Sequence, residues 1–256
     1  MTGPAGVTGT AAVLDGVRAA LDQAAGHVDD LCGAVTAALG VLPADVAADA
    51  GAHVADLRQA FTGVVAELGG MLATAGDPDA LRTAGAAWTD DVGAPVSRLV
   101  GVASDGLLET DDGWTGAAAD AYRATLPAQQ AALAAIVATC QEVDATLGDL
   151  AAAITNFWIA IGTACLGLVL ALAGALGSAA TVVGAPAAAG IALAGVGALV
   201  AAGSSALSSL GDITTATTAR AAALDRRLAD SSAFPLGAWP RSTHGISTRA
   251  RDWQPR

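Results

Sequence analysis

The amino-acid sequence predicts an all-α protein, an elongated helical bundle of long antiparallel helices with an apolar helical hairpin. Three observations carry that prediction. Ala, Gly, Val and Leu dominate the 256 residues, with one Tyr and one Asn among them, a helix-biased composition. Apolar residues recur at spacings of three and four, and no turn-punctuated alternating runs rich in Val, Ile, Thr and aromatics indicate strands. Residues 150–211 carry no charged side chain at all.

Helix one is expected over 10–41, where Leu14, Val17, Leu21, Ala24, Val28, Leu31, Val35, Ala38 and Leu42 form a coiled-coil-like seam. Pro43 starts helix two, expected over 43–73 with Val46, Ala50, Val54, Leu57, Phe61, Val64 and Leu68 on its apolar face. Gly76-Asp77-Pro78-Asp79 is a helix start: Asp77 caps free N–H groups, Pro78 suits the first turn and Asp79 complements the positive dipole end. The third helix has the apolar face Leu81, Ala84, Trp88, Val92, Leu99 and Val102, with a kink at Pro95, and fades at Ser104-Asp105-Gly106.

The longest seam runs Tyr122, Leu126, Gln129, Leu133, Ile136, Cys140, Val143, Leu147, Leu150, Ile154 and Phe157, with Gln129 its one polar member. It predicts a single helix over about 116–183, on the order of 100 Å long at 1.5 Å per residue. A return helix starts near Pro186 and ends near Asp230. Residues 231–256, with Pro235, Pro240, Pro255 and two glycines, read as a flexible tail. The chain therefore divides into helical hairpins at 1–75, 76–153 and 154–211, the return of the last helix at 212–230, and the tail at 231–256.

Charge excludes some functions. The net charge is −12, which repels nucleic acid and anionic lipid headgroups alike, so no nucleic-acid partner is expected. Residues 1–149 hold 5 Arg against 20 acids, whereas 212–256 hold 7 Arg against 4 acids. Cys32, Cys140 and Cys165 lack metal-like spacing and read as buried thiols. His27, His53 and His244 are isolated, and the pairs Asp29/Asp30, Asp90/Asp91 and Asp111/Asp112 point apart on helices or sit in a turn. Gly195-Val196-Gly197 lacks the third glycine, the strand and the later acid of a dinucleotide fingerprint. No catalytic, cofactor or metal site is expected, and the N-terminal residues have no basic n-region or apolar run of a Sec signal peptide.

The apolar hairpin carries the candidate membrane residues: Ile154, Phe157, Trp158, Ile161, Leu166, Leu168, Leu170, Leu172 and Leu176 in the first limb, Gly184 and Pro186 at the bend, and Ile191, Leu193, Val196 and Leu199 in the second. At a few tenths of a kcal/mol per apolar residue, the first limb gains about 4–7 kcal/mol on insertion and the second about 2–4. Both exceed the roughly 20 residues of a span, and their Gly and Ala faces allow close backbone packing. The same small residues also suit a tight soluble helix pair at the end of a bundle.

Gly113-Trp114-Thr115-Gly116-Ala117-Ala118-Ala119-Asp120-Ala121-Tyr122 lies between two long helices and resembles the turn of WXG100-type proteins, small helical hairpins exported by type VII secretion. Asp77-Pro78-Asp79-Ala80-Leu81-Arg82 followed by Trp88 resembles the first helix of long WXG-like proteins in actinobacteria, so the match covers about 77–153. In that turn Trp114 buries its ring over the hairpin end and Gly116 lets the next helix start close by. The resemblance implies a secreted or cell-envelope-associated (ESX-type) protein whose partner is a helical WXG-type protein or secretion chaperone, with lipid and a second copy of the chain as further partners. One departure stands out: the family's export signal places an acid four residues after an aromatic, and Tyr122 is followed by Leu126. Export would then rest on a partner that carries the signal. Two other classes fit the hairpin, an α-helical pore-forming toxin and a resident inner-membrane protein with Arg220, Arg226 and Arg227 on the cytoplasmic side.

Overall fold

The computed structural model describes residues 9–103, 113–181, 184–241 and 254–255. Among these, seven α-helices follow the predicted order: α1 Thr10–Ala38, α2 Ala44–Ala73, α3 Pro78–Ala87, α4 Ala94–Val102, α5 Ala117–Arg123, α6 Leu126–Ala179 and α7 Ala185–Leu228. A two-residue antiparallel pairing of Trp114–Thr115 with Gln254–Pro255 is the one extended element among the described residues. The fold is all-α, a bundle of long helices.

The chain forms two compact units, each discontinuous in sequence. The first comprises Met1–Asp79 and Ala151–Ile213, and the second Ala80–Leu150 and Thr214–Arg256. The N-terminal hairpin thus folds with the apolar hairpin, while the region around the W-x-G turn folds with the return of the last helix and the tail.

In the first unit the seams of α1 and α2 face inward as the periodicity predicts. Val17, Leu31 and Val35 of α1 and Ala50 and Leu57 of α2 are fully buried. They share one core with Phe157, Trp158, Ile161, Leu168 and Leu172 of α6 and with Ala188, Ala192, Val196 and Leu199 of α7. Trp158 donates its indole N–H to the Ala75 carbonyl at 3.3 Å and packs edge-on against Phe157, with ring centroids 5.0 Å apart. That bond satisfies the one polar atom of a ring that is 2% exposed.

The expected helix start at Asp77 is present, with the backbone N–H of Asp79 donating to Asp77 Oδ1 at 3.1 Å. Asp77→Ala should cost about 1 kcal/mol, read as a lower urea midpoint in circular dichroism.

Four expectations are corrected. First, the helix does not simply bend at Pro95. Proline has no N–H to give the Asp91 carbonyl, and the preceding turn widens into a π-helix over Trp88–Gly93, where the Ala94 N–H bonds Thr89 five residues back.

Second, the apolar stripe of this helix does not face the core: Trp88, Val92, Leu99 and Val102 are exposed. The side that packs carries Gly85 and Gly93, whose missing Cβ atoms lie against Asp144 and Cys140 of α6. Small residues win that side because they let two helix backbones approach.

Third, the single helix expected over 116–183 is two helices. Pro127 cannot donate to the Arg123 carbonyl, and Thr125 gives both its backbone N–H (2.9 Å) and its hydroxyl (2.7 Å) to the Tyr122 carbonyl. The long helix ends at Ala179, where Thr181 closes the turn. Its hydroxyl donates to the Ser178 carbonyl at 3.0 Å and accepts from the Gly184 N–H at 3.0 Å.

Fourth, the tail is structured in part. Pro235–Gly237 is a 3₁₀ turn, Pro240 is buried, and Gln129 donates to the Pro240 carbonyl at 3.4 Å. The one polar residue of the long seam is therefore a tail contact.

Candidate functional site

The hairpin made by α6 from Ile154 onward and by α7 up to Leu210 has two faces. Its inner face joins the core: Phe157, Trp158, Ile161, Leu168, Leu172, Val196 and Leu199 are all buried. Its outer face presents Ile159, Leu166, Leu170 and Ile191, each more than two-fifths exposed and Leu170 73% exposed, while Val200 and Leu207 are exposed on the side of α7 that lines a cleft with Val64, Glu67 and Met71 of α2. The fifteen candidate membrane residues thus separate. Seven are buried, Ile154, Leu176, Gly184 and Leu193 are half-buried, and Leu166, Leu170 and Ile191 point outward. The side chain of Pro186 lies outside the described residues.

The limbs pack closely because Gly195 is where they cross. A Cβ there would stand 3.1 Å from Ala171 Cβ and 3.2 Å from Leu168 Cδ1. On the outer side the small residues leave a groove of about 590 Å3, lined by Ala160, Thr163, Gly167, Ala171, Gly195, Ala198 and Ala202 among others. Three of the exposed limb hydroxyls turn back on their own helix: Thr163 donates to Ile159 (2.9 Å), Ser204 to Val200 (3.0 Å) and Ser209 to Ser205 (3.2 Å), while Ser205 and Ser208 are exposed. Two stretches are long and apolar enough to cross a membrane, one within the Ala117–Ala179 span that α5 and α6 share and one within α7, with peak mean hydropathies of 2.3 and 1.8, and 33% and 28% of those apolar windows is buried.

The second candidate, the W-x-G turn, lies immediately before α5. Trp114 and Thr115 pair with Pro255 and Gln254, and Gly116 precedes the helix at φ 101°, ψ 178°, a conformation essentially restricted to glycine. Gly116→Ala should therefore destabilise by about 1–3 kcal/mol, measured by chemical denaturation. The side chain of Trp114 and the pair Asp111/Asp112 lie outside the described residues, as does His244.

Around the turn, the second unit is held by polar links that spacing could not reveal. Thr89 donates to Asp144 Oδ2 at 3.2 Å and Gln130 to the Val100 carbonyl at 3.2 Å. Arg220 pairs with Asp149, and Arg227 with Glu142 at 2.7 Å. Two of the three arginines expected to flank a membrane span are thus already paired with carboxylates.

The three thiols are free and buried, and burial pushes the Cys32 thiol up from its ordinary value, with Arg58 opposing. Among the described residues no three metal-ligating side chains come together, and the exposed pairs Asp29/Asp30 and Asp90/Asp91 stay solvated. Comparison with family models, curated proteins and solved structures finds no match to this chain.

Proposed function

We propose that the protein is a non-catalytic, WXG-like type VII secretion-associated protein that binds a helical partner and meets a membrane through its apolar hairpin. The observation that carries the membrane half is the hairpin: 62 residues without a charge, with one face in the core and Ile159, Leu166, Leu170 and Ile191 in the open on the other.

The partner half is supported by Trp88 and Val92 of the π-helix and Leu99 and Val102 of α4, all exposed. Their spacing is that of a helix face that packs on another helix, and the large ring of Trp88 is the kind of anchor that dominates such contacts. The secretion assignment rests on the W-x-G turn, where Gly116 takes a glycine-only conformation directly before a helix.

The experiment is fractionation of the host culture with and without a functional type VII system. Protein in the medium or envelope that disappears with the system supports the proposal. Carbonate-resistant protein in the inner membrane of both strains would favour a resident membrane protein. Dye release from liposomes by the purified chain would favour a pore-forming toxin.

A further inference from the structure

We propose that the first unit docks on a lipid surface through the outer face of the α6–α7 hairpin while the inner face stays packed on α1 and α2, so that the hairpin lies along the membrane and does not cross it. This rests on the membrane contact proposed above and specifies its geometry.

Three observations carry it. The inner face is a finished core: Ile161 and Leu172 are 0% exposed and Leu168 is 1%, all in the same cluster as Val17, Leu31 and Leu57. A spanning hairpin would have to abandon that cluster and leave the apolar faces of α1 and α2 in water. The outer face needs no such rearrangement, because it is apolar and uncovered in the folded chain.

The second observation is the chemistry of that face. A protein partner is normally positioned by charged or polar groups at the rim, and residues 150–211 supply no charge. The hydroxyls of Thr163, Ser204 and Ser209 donate to carbonyls of their own helix, so entering an apolar medium strips them of no necessary water bond. Those properties suit acyl chains, which offer neither charge nor hydrogen bonds.

The third is the charge of the remaining helices. α1 and α2 carry Asp15, Asp22, Asp29, Asp30, Asp45, Asp49, Asp56 and Glu67 against Arg18 and Arg58. A unit with one strongly charged pair of helices and one charge-free pair is amphipathic, and because the charged pair is acidic and not basic its contact rests on apolar burial alone, which sinks such a face about 5–10 Å into the headgroup boundary of neutral lipid.

The test uses a covalent lock. A Cβ at Gly162 would touch the Val17 side chain, 3.5 Å from its Cγ2, so cysteines at the two positions face each other across the contact a disulfide would close. The full chain carrying Val17→Cys and Gly162→Cys is compared, oxidised and reduced, in flotation with neutral phosphatidylcholine vesicles, alongside Leu170→Asp. Docking predicts that wild type and both forms of the locked variant float equally, and that Leu170→Asp lowers the bound fraction at least tenfold.

Binding by the reduced but not the oxidised form overturns the docking geometry and leaves the membrane contact standing. No flotation by the wild type overturns both. Sedimentation that finds a dimer dissolved by Leu170→Asp, with no vesicle binding, means that a second copy covers this face and overturns the proposal. If the lock impairs folding even when reduced, the blue-shifted emission lost on Trp158→Phe decides: unchanged on adding vesicles supports docking, and a shift overturns it.

Discussion

Leu168→Asp is expected to abolish the fold of the first unit, while Leu166→Asp, two residues earlier on the same helix, leaves its stability in water within about 0.5 kcal/mol of wild type. Leu168 is 1% exposed and Leu166 57%. Loss of a buried leucine forfeits about 1.5–3 kcal/mol of apolar burial. The new carboxylate adds the larger part, because an unpaired charge in a packed core costs several kcal/mol. No cation exists between 150 and 211 to meet it. Together the losses reach more than about 5 kcal/mol, comparable with the whole stability of many domains.

The measurement is far-ultraviolet circular dichroism in urea: a wild-type transition for Leu166→Asp and, for Leu168→Asp, loss of the first unit's share of the cooperative change. Equal losses at both positions would mean that the outer face is covered by protein, against the two-faced hairpin described above. The order reverses in lipid. A carboxylate at the bilayer centre costs about 2.5–3.5 kcal/mol and less near the surface, so Leu166→Asp becomes the variant with impaired vesicle binding.

That contrast also marks how far the chain's pattern reaches. The seams of α1 and α2 were legible because spacings of three and four identify a face, and in a two-sided helix the larger apolar face goes inward. Val17, Leu31 and Leu57 behave that way. Periodicity falls silent where every position is apolar. Between 154 and 210 Leu166, Leu168, Leu170 and Leu172 are chemically identical, and only packing against α1 and α2 divides them into two inside and two outside.

It also misleads where the buried side is made of the smallest residues. From α3 through α4 the large apolar side chains Trp88, Val92, Leu99 and Val102 mark the free face, and the glycines mark the packed one. The union of residues 1–79 with 151–213 into one unit depends on contacts far apart in sequence, as does the meeting of Gln129 with Pro240. At the W-x-G turn Gly116 was expected for a close helix start, and what the structure shows there is a backbone conformation, φ 101°, that glycine alone adopts readily.

Gly85→Leu is expected to cost more than about 3 kcal/mol and to detach α3 and α4 from α6, although leucine is the better helix former by nearly 1 kcal/mol. A Cβ at Gly85 would stand 2.6 Å from Asp144 Oδ1, 3.2 Å from its Cα and 3.3 Å from its carbonyl oxygen. The carboxylate could turn away only by giving up the hydrogen bond that Thr89 donates to its other oxygen. The Cα and carbonyl belong to the backbone of a 54-residue helix and cannot yield locally. Overpacking of a closed interface typically costs 1–3 kcal/mol, and here the strain falls on backbone, with a branched side chain to place beyond it.

Gly101 is the matched control. It lies on the same helical segment with nothing within 4 Å of its absent Cβ, so Gly101→Ala should stabilise by up to about 1 kcal/mol. Hydrogen exchange separates the two outcomes. Protection of α3 and α4 amides should fall toward that of an isolated helix in Gly85→Leu and rise slightly in Gly101→Ala. Intact protection in Gly85→Leu would mean that the glycine side does not pack on α6, and the exposed Trp88 stripe would then lose its standing as the face left free for a partner.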